Sequence, residues 1–356
     1  MTALTTGSHE LPFPGSPGAD IRRRPRVLLA MDPSLTPSLL GPHTRERLAQ
    51  VADCDADFVV QEFSDPAARA ALAQADLLLT FWGCPPLDAQ LLAAAPRLRA
   101  VVHAAGSVKG HVTAACWERG LLVSSAAQAN ALPVAEFTVA AVLLSNKRVL
   151  HARETYRRVR GEHDWRTELV GIGNYRRTIG IVGASRIGRR VIELLRPYAF
   201  EILVHDPYLR DGEAEELGVR QVQLDELCKT SDVVSLHAPE LPETRHMIDR
   251  RRLALMRDGA TLVNTARGSL VEQDAMVEEV RTGRLHAVLD VTEPHVLPPD
   301  SPLYDLPNVL LTPHMAGSFG NELQRMADCA VAEVARFAAG LPFAHPVHLE
   351  DLERTA

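Results

Sequence analysis

Two side chains in this sequence have the chemistry to hold a small anion and move a proton beside it. Arg267 lies in Asn264-Thr-Ala-Arg-Gly268 and His314 in Thr312-Pro-His-Met-Ala-Gly317, each after a short apolar run that reads as a strand. A guanidinium offers a planar fork matched to a carboxylate and never loses its charge. An imidazole titrates near neutrality and can give or take a proton. Taken singly, such an arginine is more often a surface charge, and such a histidine a hydrogen-bonded core residue. Both follow strands, however, and the carboxyl ends of strands in an open sheet form the ligand crevice.

A second constellation points to a dinucleotide. Thr178-Ile-Gly-Ile-Val-Gly-Ala-Ser-Arg-Ile-Gly188 runs from a strand into a helix, with small residues at 183, 185 and 188, the spacing of the dinucleotide fingerprint. Gly183 permits the tight turn, Gly188 permits close helix packing, and the free N–H groups of the helix start suit an anion. The middle position is Ser185, whose hydroxyl either donates to phosphate or whose bulk pushes the dinucleotide away. Asp206 ends the next strand 18 residues after Gly188, where a carboxylate accepts from both ribose hydroxyls and repels a 2′-phosphate. NAD is therefore expected over NADP.

The elements that must position these residues alternate in two series. Short apolar runs at 26–31, 58–60, 75–81, 98–105 and 121–125 are separated by segments of helical spacing, the α/β rhythm of a parallel sheet covered on both faces. Pro133 to Leu150 is apolar nearly all round, and with Pro133 in its first turn it predicts a long helix buried between two bodies. After a polar stretch from His151 to Arg177, six further strands are expected at 178–183, 201–206, 232–237, 261–266, 287–292 and 309–314, with helices at 186–199 and 272–283. A last helix at about 322–340 is expected to return to the first body. The fold class is thus α/β, with two doubly wound parallel-sheet domains, a Rossmann NAD-binding domain inserted into a flavodoxin-like substrate domain. The expected division is a disordered arm 1–24, a substrate domain 25–126 completed by 319–345, a nucleotide domain 127–318 and a tail 346–356, with no further regulatory domain.

Composition narrows the class. The chain has 356 residues, enough for two domains at roughly 100 to 200 residues each. Lys plus Arg is 38 against 45 for Asp plus Glu, a net charge of −7, which offers no field attractive to nucleic acid. Apolar residues are 46% and charged residues 23%, and no uninterrupted apolar run approaches the roughly 18 residues of a membrane span. Arg22, Arg23 and Arg24 precede an apolar run that Asp32 ends too early for an export signal. Cys54, Cys84, Cys116, Cys228 and Cys329 are widely spaced without a Cys-x-x-Cys pair, so reduced thiols in a cytoplasmic protein without a metal site are expected.

Residues 25–340 resemble the D-2-hydroxyacid dehydrogenases on four motifs in order: Gly183-Ala-Ser-Arg-Ile-Gly188, His237-Ala-Pro239 with Thr244, Asn264-Thr-Ala-Arg-Gly268 and Thr312-Pro-His-Met-Ala-Gly317. The resemblance implies that Arg267 grips the carboxylate and 2-oxo group of a small 2-hydroxy or 2-oxo acid. His314 would move the hydroxyl proton as hydride passes to or from nicotinamide. Cofactor contacts are implied for Gly183, Ser185, Arg186, Ile187 and Gly188, for Asp206, and for His237, Ala238, Pro239 and Thr244. Ala266, Asp290 and Gly317 complete that set, with Asp290 accepting from the carboxamide. Ala104-Ala-Gly-Ser-Val108 resembles the loop whose N–H groups meet the substrate carboxylate, which brings Ala105, Gly106 and Ser107 to the substrate. An ordinary glycine turn is the other reading. Trp82, in Phe81-Trp-Gly-Cys84, either shapes the side-chain pocket or simply packs.

Two positions depart from that pattern. Where the resemblance calls for a glutamate beside the catalytic histidine, this chain has His295, which is neutral at best and repulsive when charged. His295 is thus expected in the proton path, with oxo-acid reduction most affected. Glu293 is an alternative acid if the backbone shifts, a shift that Pro294 restricts. Lys109 stands where an aspartate is usual and adds a positive charge near the carboxylate loop. The expected function is NAD-dependent hydride transfer on a small D-2-hydroxy acid, in a homodimer built on the nucleotide domain near Glu136. The alternative is a non-catalytic NAD-sensing protein resembling the C-terminal-binding-protein corepressors.

Overall fold

The computed structural model describes residues 23–352. Of the expected arm, Arg23 and Arg24 are tied down, Arg23 to Asp76 at 3.0 Å and Arg24 to the Ala49 carbonyl at 2.8 Å. The rest of that arm, and residues 353–356 of the tail, lie outside the described residues.

Short apolar segments with no polar face can be buried only inside a covered sheet, and two such sheets form. The first holds β1 (Val27–Ala30), β2 (Val59–Val60), β3 (Leu77–Thr80), β4 (Ala100–His103) and β5 (Leu122–Ser125), in the order β2-β1-β3-β4-β5. The second holds β6 (Thr178–Val182), β7 (Glu201–His205), β8 (Arg220–Gln221), β9 (Val233–Leu236), β10 (Thr261–Asn264), β11 (His286–Leu289) and β12 (Val309–Leu311). Its order is β12-β11-β10-β9-β6-β7-β8. Every pairing within both sheets is parallel. The two orders are the flavodoxin-like and Rossmann windings, each with a switch point where the chain reverses direction across the sheet. The second sheet has one strand more than expected. Its edge strand β8 is two exposed residues long, too short for a periodic signal.

The crossing helix also differs from its expected limits. It runs Ala127–Asn146, with Pro133 inside it, because the chain turns out of β5 at Ser125 into helix-compatible Ala-Gln-Ala-Asn-Ala-Leu almost at once. Proline costs one helical hydrogen bond there and is tolerated where packing holds the helix on several sides. Those sides are the helix Arg186–Leu195, the terminal helix Leu323–Ala338, and strands β9 and β10. By length and composition Ala127–Asn146 could cross a membrane, although its longest uninterrupted apolar run, Val139 to Leu144, is far shorter than a span. Arg148, with φ +52, ends the crossing, and the stretch read as a polar connector forms the helices Val149–Val159 and Trp165–Glu168. The terminal helix buries Met326, Ala330, Val331 and Val334 against Leu29, Met31, Leu39 and Leu48, so the chain does return to the first body.

Under the carboxyl ends of β3 and β4, Thr80 Oγ1 lies 3.0 Å from His103 Nδ1 and 3.1 Å from His111 Nε2, with all three residues buried. Burial pushes His111 down to about 4 and His103 well below the ordinary imidazole value. An unfolded chain, whose histidines titrate near ~6.5, then binds protons that the folded chain refuses. Stability is therefore intact above about pH 6.5 and is lost as pH falls toward the folded-state values. Urea midpoints measured from pH 7 to pH 5 should fall, and His111→Gln should flatten the decline; a flat wild-type profile would contradict the buried neutral pair.

Candidate active site

The loops after β6 and β9 meet at the switch point of the second sheet. Gly183 has φ +96, and a Cβ there would stand 2.7 Å from Ala238 N. A Cβ at Gly188 would overlap the Gly183 carbonyl oxygen. Both glycines are required by backbone approach, leaving the N-terminus of the helix Arg186–Leu195 open over the turn. The Ser185 hydroxyl caps its own helix by accepting from Gly188 N at 3.3 Å, which leaves its O–H as a donor.

Asp206 ends β7 with one oxygen accepting from Ala184 N at 2.7 Å and the other from Tyr208 N at 2.8 Å. Its carboxylate is thus fixed at the glycine turn, and spare lone pairs remain for a diol. His237 is buried, with Nε2 2.9 Å from Ser235 Oγ and Nδ1 without a partner. Burial pushes its pKa down to about 3, so the ring is neutral and offers one unsatisfied polar atom behind the cradle. Thr244 is spent on its own turn, donating to the Pro239 carbonyl at 2.7 Å and accepting from Leu241 N at 2.8 Å. Arg186 is exposed at the helix start, Ile187 is half-buried, and Ala238 and Ala266 are buried. A narrow glycine cradle, a helix N-terminus, a fixed carboxylate and an orphaned imidazole nitrogen together fit a dinucleotide.

The loops after β10, β11 and β12 bring the chemical residues together. Asn264, to which the sequence reading assigned no role, closes the β10 loop by accepting from Ala266 N at 3.1 Å and donating to the Arg267 carbonyl at 2.8 Å. An asparagine two residues before a turn is the signal that marked it. A Cβ at Gly268 would overlap the Thr292 backbone, so the β10 and β11 loops lie directly on each other. Arg267 Nη1 donates to the Ala266 carbonyl at 2.7 Å, and its Nε lies 3.9 Å from Glu240 Oε2. Glu240 is a second residue the sequence reading missed, since it comes from a separate loop.

Asp290 is 2% exposed. It accepts from Thr312 Oγ1 at 2.6 Å, Met315 N at 2.8 Å and Ala316 N at 2.9 Å. Most of the accepting capacity expected for a carboxamide is therefore spent on the loop that carries His314, with one lone pair of Oδ2 unused by these bonds. Within that loop His314 has φ +56, a left-handed conformation that costs on the order of 1 to 3 kcal/mol for a non-glycine residue and persists where neighbours enforce it. The His295 ring stands edge-on to His314, with centroids 5.2 Å apart. Burial lowers the proton affinity of His314, Asp290 opposes that shift, and His295 and Arg267 add to it. Arg267, His314 and His295 therefore share one site. Glu293 is engaged elsewhere: its carboxylate accepts from Arg245 at 2.8 Å and lies 3.5 Å from the His246 ring.

The opposite wall comes from the first sheet. Ala104 and Ala105 are buried, Gly106 is half-buried and Ser107 is exposed. A Cβ at Gly106 would sit 3.4 Å from Asn130 Nδ2, near-ordinary contact, so protein packing does not itself demand glycine there. Asn130, also missed, accepts from Ser318 N at 2.9 Å and lies against Gly317. It thereby links the 104–108 loop to the 312–318 loop through the crossing helix. Phe81 is core, whereas Trp82 packs against it with tilted rings, centroids 4.4 Å apart, and is 40% exposed.

Two measurements follow from this geometry. Asp290→Asn turns an acceptor toward backbone donors it can no longer fully satisfy, at about 1.5 to 3 kcal/mol for charge-assisted bonds. Hydrogen exchange at Met315 and Ala316 should accelerate by one to two orders of magnitude; unchanged protection would show that Asp290 does not clamp the loop. Gly188→Ala should abolish NADH binding seen by fluorescence while the first sheet keeps its exchange protection, and normal binding would show that the helix can shift aside.

Residues 139–316 match the family model described as D-isomer specific 2-hydroxyacid dehydrogenase, NAD binding domain, and the cofactor is NAD. The chain is 36% identical over 273 residues to a D-3-phosphoglycerate dehydrogenase of Mycobacterium leprae, covering 76% of this chain and 50% of that protein. It thus spans about half the length of the D-3-phosphoglycerate dehydrogenases it matches. A glyoxylate reductase of Korarchaeum cryptofilum is 35% identical over 257 residues, 72% of this chain and 77% of that one. Among solved structures, a D-lactate dehydrogenase from Aquifex aeolicus complexed with NAD and lactic acid aligns with a TM-score of 0.68 at 28% identity, covering 88% of this chain and 96% of that one. With the two windings, the glycine cradle and the arginine–histidine site already in place, these matches establish that the chain belongs to the D-isomer specific 2-hydroxyacid dehydrogenase family.

Proposed function

We propose that this chain is an NAD-dependent oxidoreductase that interconverts a small D-2-hydroxy acid and its 2-oxo acid in the cleft between the two sheets. The observation that carries the reading is the convergence of Arg267, His314 and His295 beside the glycine cradle, from loops after three adjacent strands. Bound NAD supplies the hydride acceptor or donor. In this reading Arg267 holds the substrate carboxylate and 2-oxo oxygen with the N–H groups not turned to Ala266 or Glu240. The N–H groups of Ala105, Gly106 and Ser107 meet the carboxylate from the other side, and Trp82 walls the side-chain pocket. The contacts assigned to Gly183, Ser185, Arg186, Ile187, Gly188, Asp206, His237, Ala238, Pro239, Thr244, Ala266, Asp290 and Gly317 hold the dinucleotide.

His314 accepts the hydroxyl proton in oxidation and returns it in reduction. Burial lowers its proton affinity, and this favours the neutral ring that accepts a proton in oxidation over the charged ring that donates one in reduction. A division into bodies 25–126 with 319–345 and 127–318 belongs to the same reading, and the two separate sheets support it. So does a homodimer through the nucleotide body: a concave surface lined by Val149, Tyr156, Trp165, Leu169 and Ile172 carries exposed Val149 and Tyr156. The five unpaired cysteines support a reducing, cytoplasmic setting.

The test is oxidation of NADH with glyoxylate, hydroxypyruvate and pyruvate. Arg267→Ala should lower kcat/KM at least a hundredfold, corresponding to about 3 kcal/mol of lost charge-assisted binding. His295→Glu places a carboxylate beside His314 and should carry reduction to about one pH unit higher. Tight NADH binding without turnover of any acid would overturn the reading in favour of a non-catalytic NAD sensor, and an unmoved pH profile would take His295 out of the proton path.

A further inference from the structure

The guanidinium assigned to the substrate already has a carboxylate beside it. Glu240 follows His237-Ala-Pro239 in the loop after β9, and its Oε2 lies 3.9 Å from Arg267 Nε. Its side chain is 54% exposed. So long and exposed an ion pair adds little to folding, and stability does not account for an acid at this position. On the next loop, Glu293 binds Arg245 and faces His246 only two residues before His295. Loops 240–246, 267 and 293–295 thus carry Glu240, Glu243 and Glu293 against Arg245 and Arg267, and both arginines have a carboxylate within 4 Å. The facing loop 104–110 contributes one lysine, Lys109.

The three glutamates match the two arginines and the lysine, so these groups are formally neutral before any substrate carboxylate arrives. A second anionic group two or three carbons away would meet Glu240 and Glu293, whose partner cations are already engaged, with repulsion strengthened where the closed cleft excludes water. We propose that Glu240 sets the charge selectivity of the site, admitting short 2-oxo and 2-hydroxy acids with an uncharged side chain and rejecting those that carry a phosphate. The inference rests on Arg267 as the substrate anchor and deepens that reading. Overall identity does not make this choice, because relatives named for a phosphorylated and a non-phosphorylated acid match at 36% and 35%. Discrimination here works by repulsion of the wrong ligand, which leaves the attractive contacts to the right one unchanged in kind.

The experiment compares wild type, Glu240→Gln and Glu240→Ala, each first shown to bind NADH, at low ionic strength. The reading is the ratio of kcat/KM for glyoxylate and hydroxypyruvate to that for 3-phosphohydroxypyruvate. Wild type should favour the unphosphorylated acids by at least about tenfold, and both variants should narrow that ratio by about tenfold, mostly through KM of the phosphorylated acid. The narrowing should shrink as salt is raised. Turnover with a ratio that neither variant moves, or a wild type that prefers the phosphorylated acid, would overturn this proposal alone. Absence of turnover with every acid would overturn the dehydrogenase reading and this proposal with it.

Discussion

A single buried carboxylate holds the chemical end of this molecule in place. Asp290 stands at the end of β11, and its two oxygens accept from Thr312, Met315 and Ala316 in the loop after β12. A carboxylate taken out of water is stable only when donors replace the lost solvation, and here those donors are the backbone of the loop that carries His314. Electrostatic satisfaction of the acid and placement of the imidazole are therefore one event. The same bonds bracket His314, which stands in a left-handed conformation that neighbours must enforce in a non-glycine residue.

Close backbone approach is the second constraint. The cradle works because Gly183 touches the loop at Ala238, Gly188 lets a helix seat on the glycine turn, and Gly268 lets the arginine loop lie on Thr292. The first and last of these contacts bring the ends of neighbouring strands together, and the first does so at the switch point of the doubly wound sheet. The crossing helix adds the other wall. Asn130 on that helix lies beside Gly106 of the first sheet's loop and accepts from Ser318 N in the 312–318 loop of the second, so one side chain of the crossing helix stands between the two walls.

The electrostatics of the site follow from neighbours that belong to different loops. His314 lies between an acid that raises its proton affinity and three influences that lower it, namely burial, His295 and Arg267. Glu293, close in sequence to His295, is engaged elsewhere by Arg245, near the His246 ring. Glu240, remote from Arg267 in sequence, stands beside it. Sequence distance is a poor guide to charge distance in a site assembled from loop ends, and both acids illustrate that in opposite directions.

By itself the sequence determined the alternation of buried strands and helices, the two sheets, the returning terminal helix and the glycines of the cradle. These depend on periodicity and on backbone conformations that few residues can adopt, and both are local properties. It also singled out Arg267 and His314, because each follows a strand within a spaced motif, while Asp290 came from the family resemblance. Tertiary structure alone decided what their neighbours do. That Ser185 caps its own helix, that Thr244 closes its own turn and that Asp290 clamps a loop are outcomes of competition among hydrogen-bond partners. The edge strand Arg220–Gln221 and the placing of Pro133 inside a helix likewise depended on packing against elements far along the chain. Side-chain partners are chosen in three dimensions, so a motif can name the residue while only the fold settles which of its possible bonds it makes.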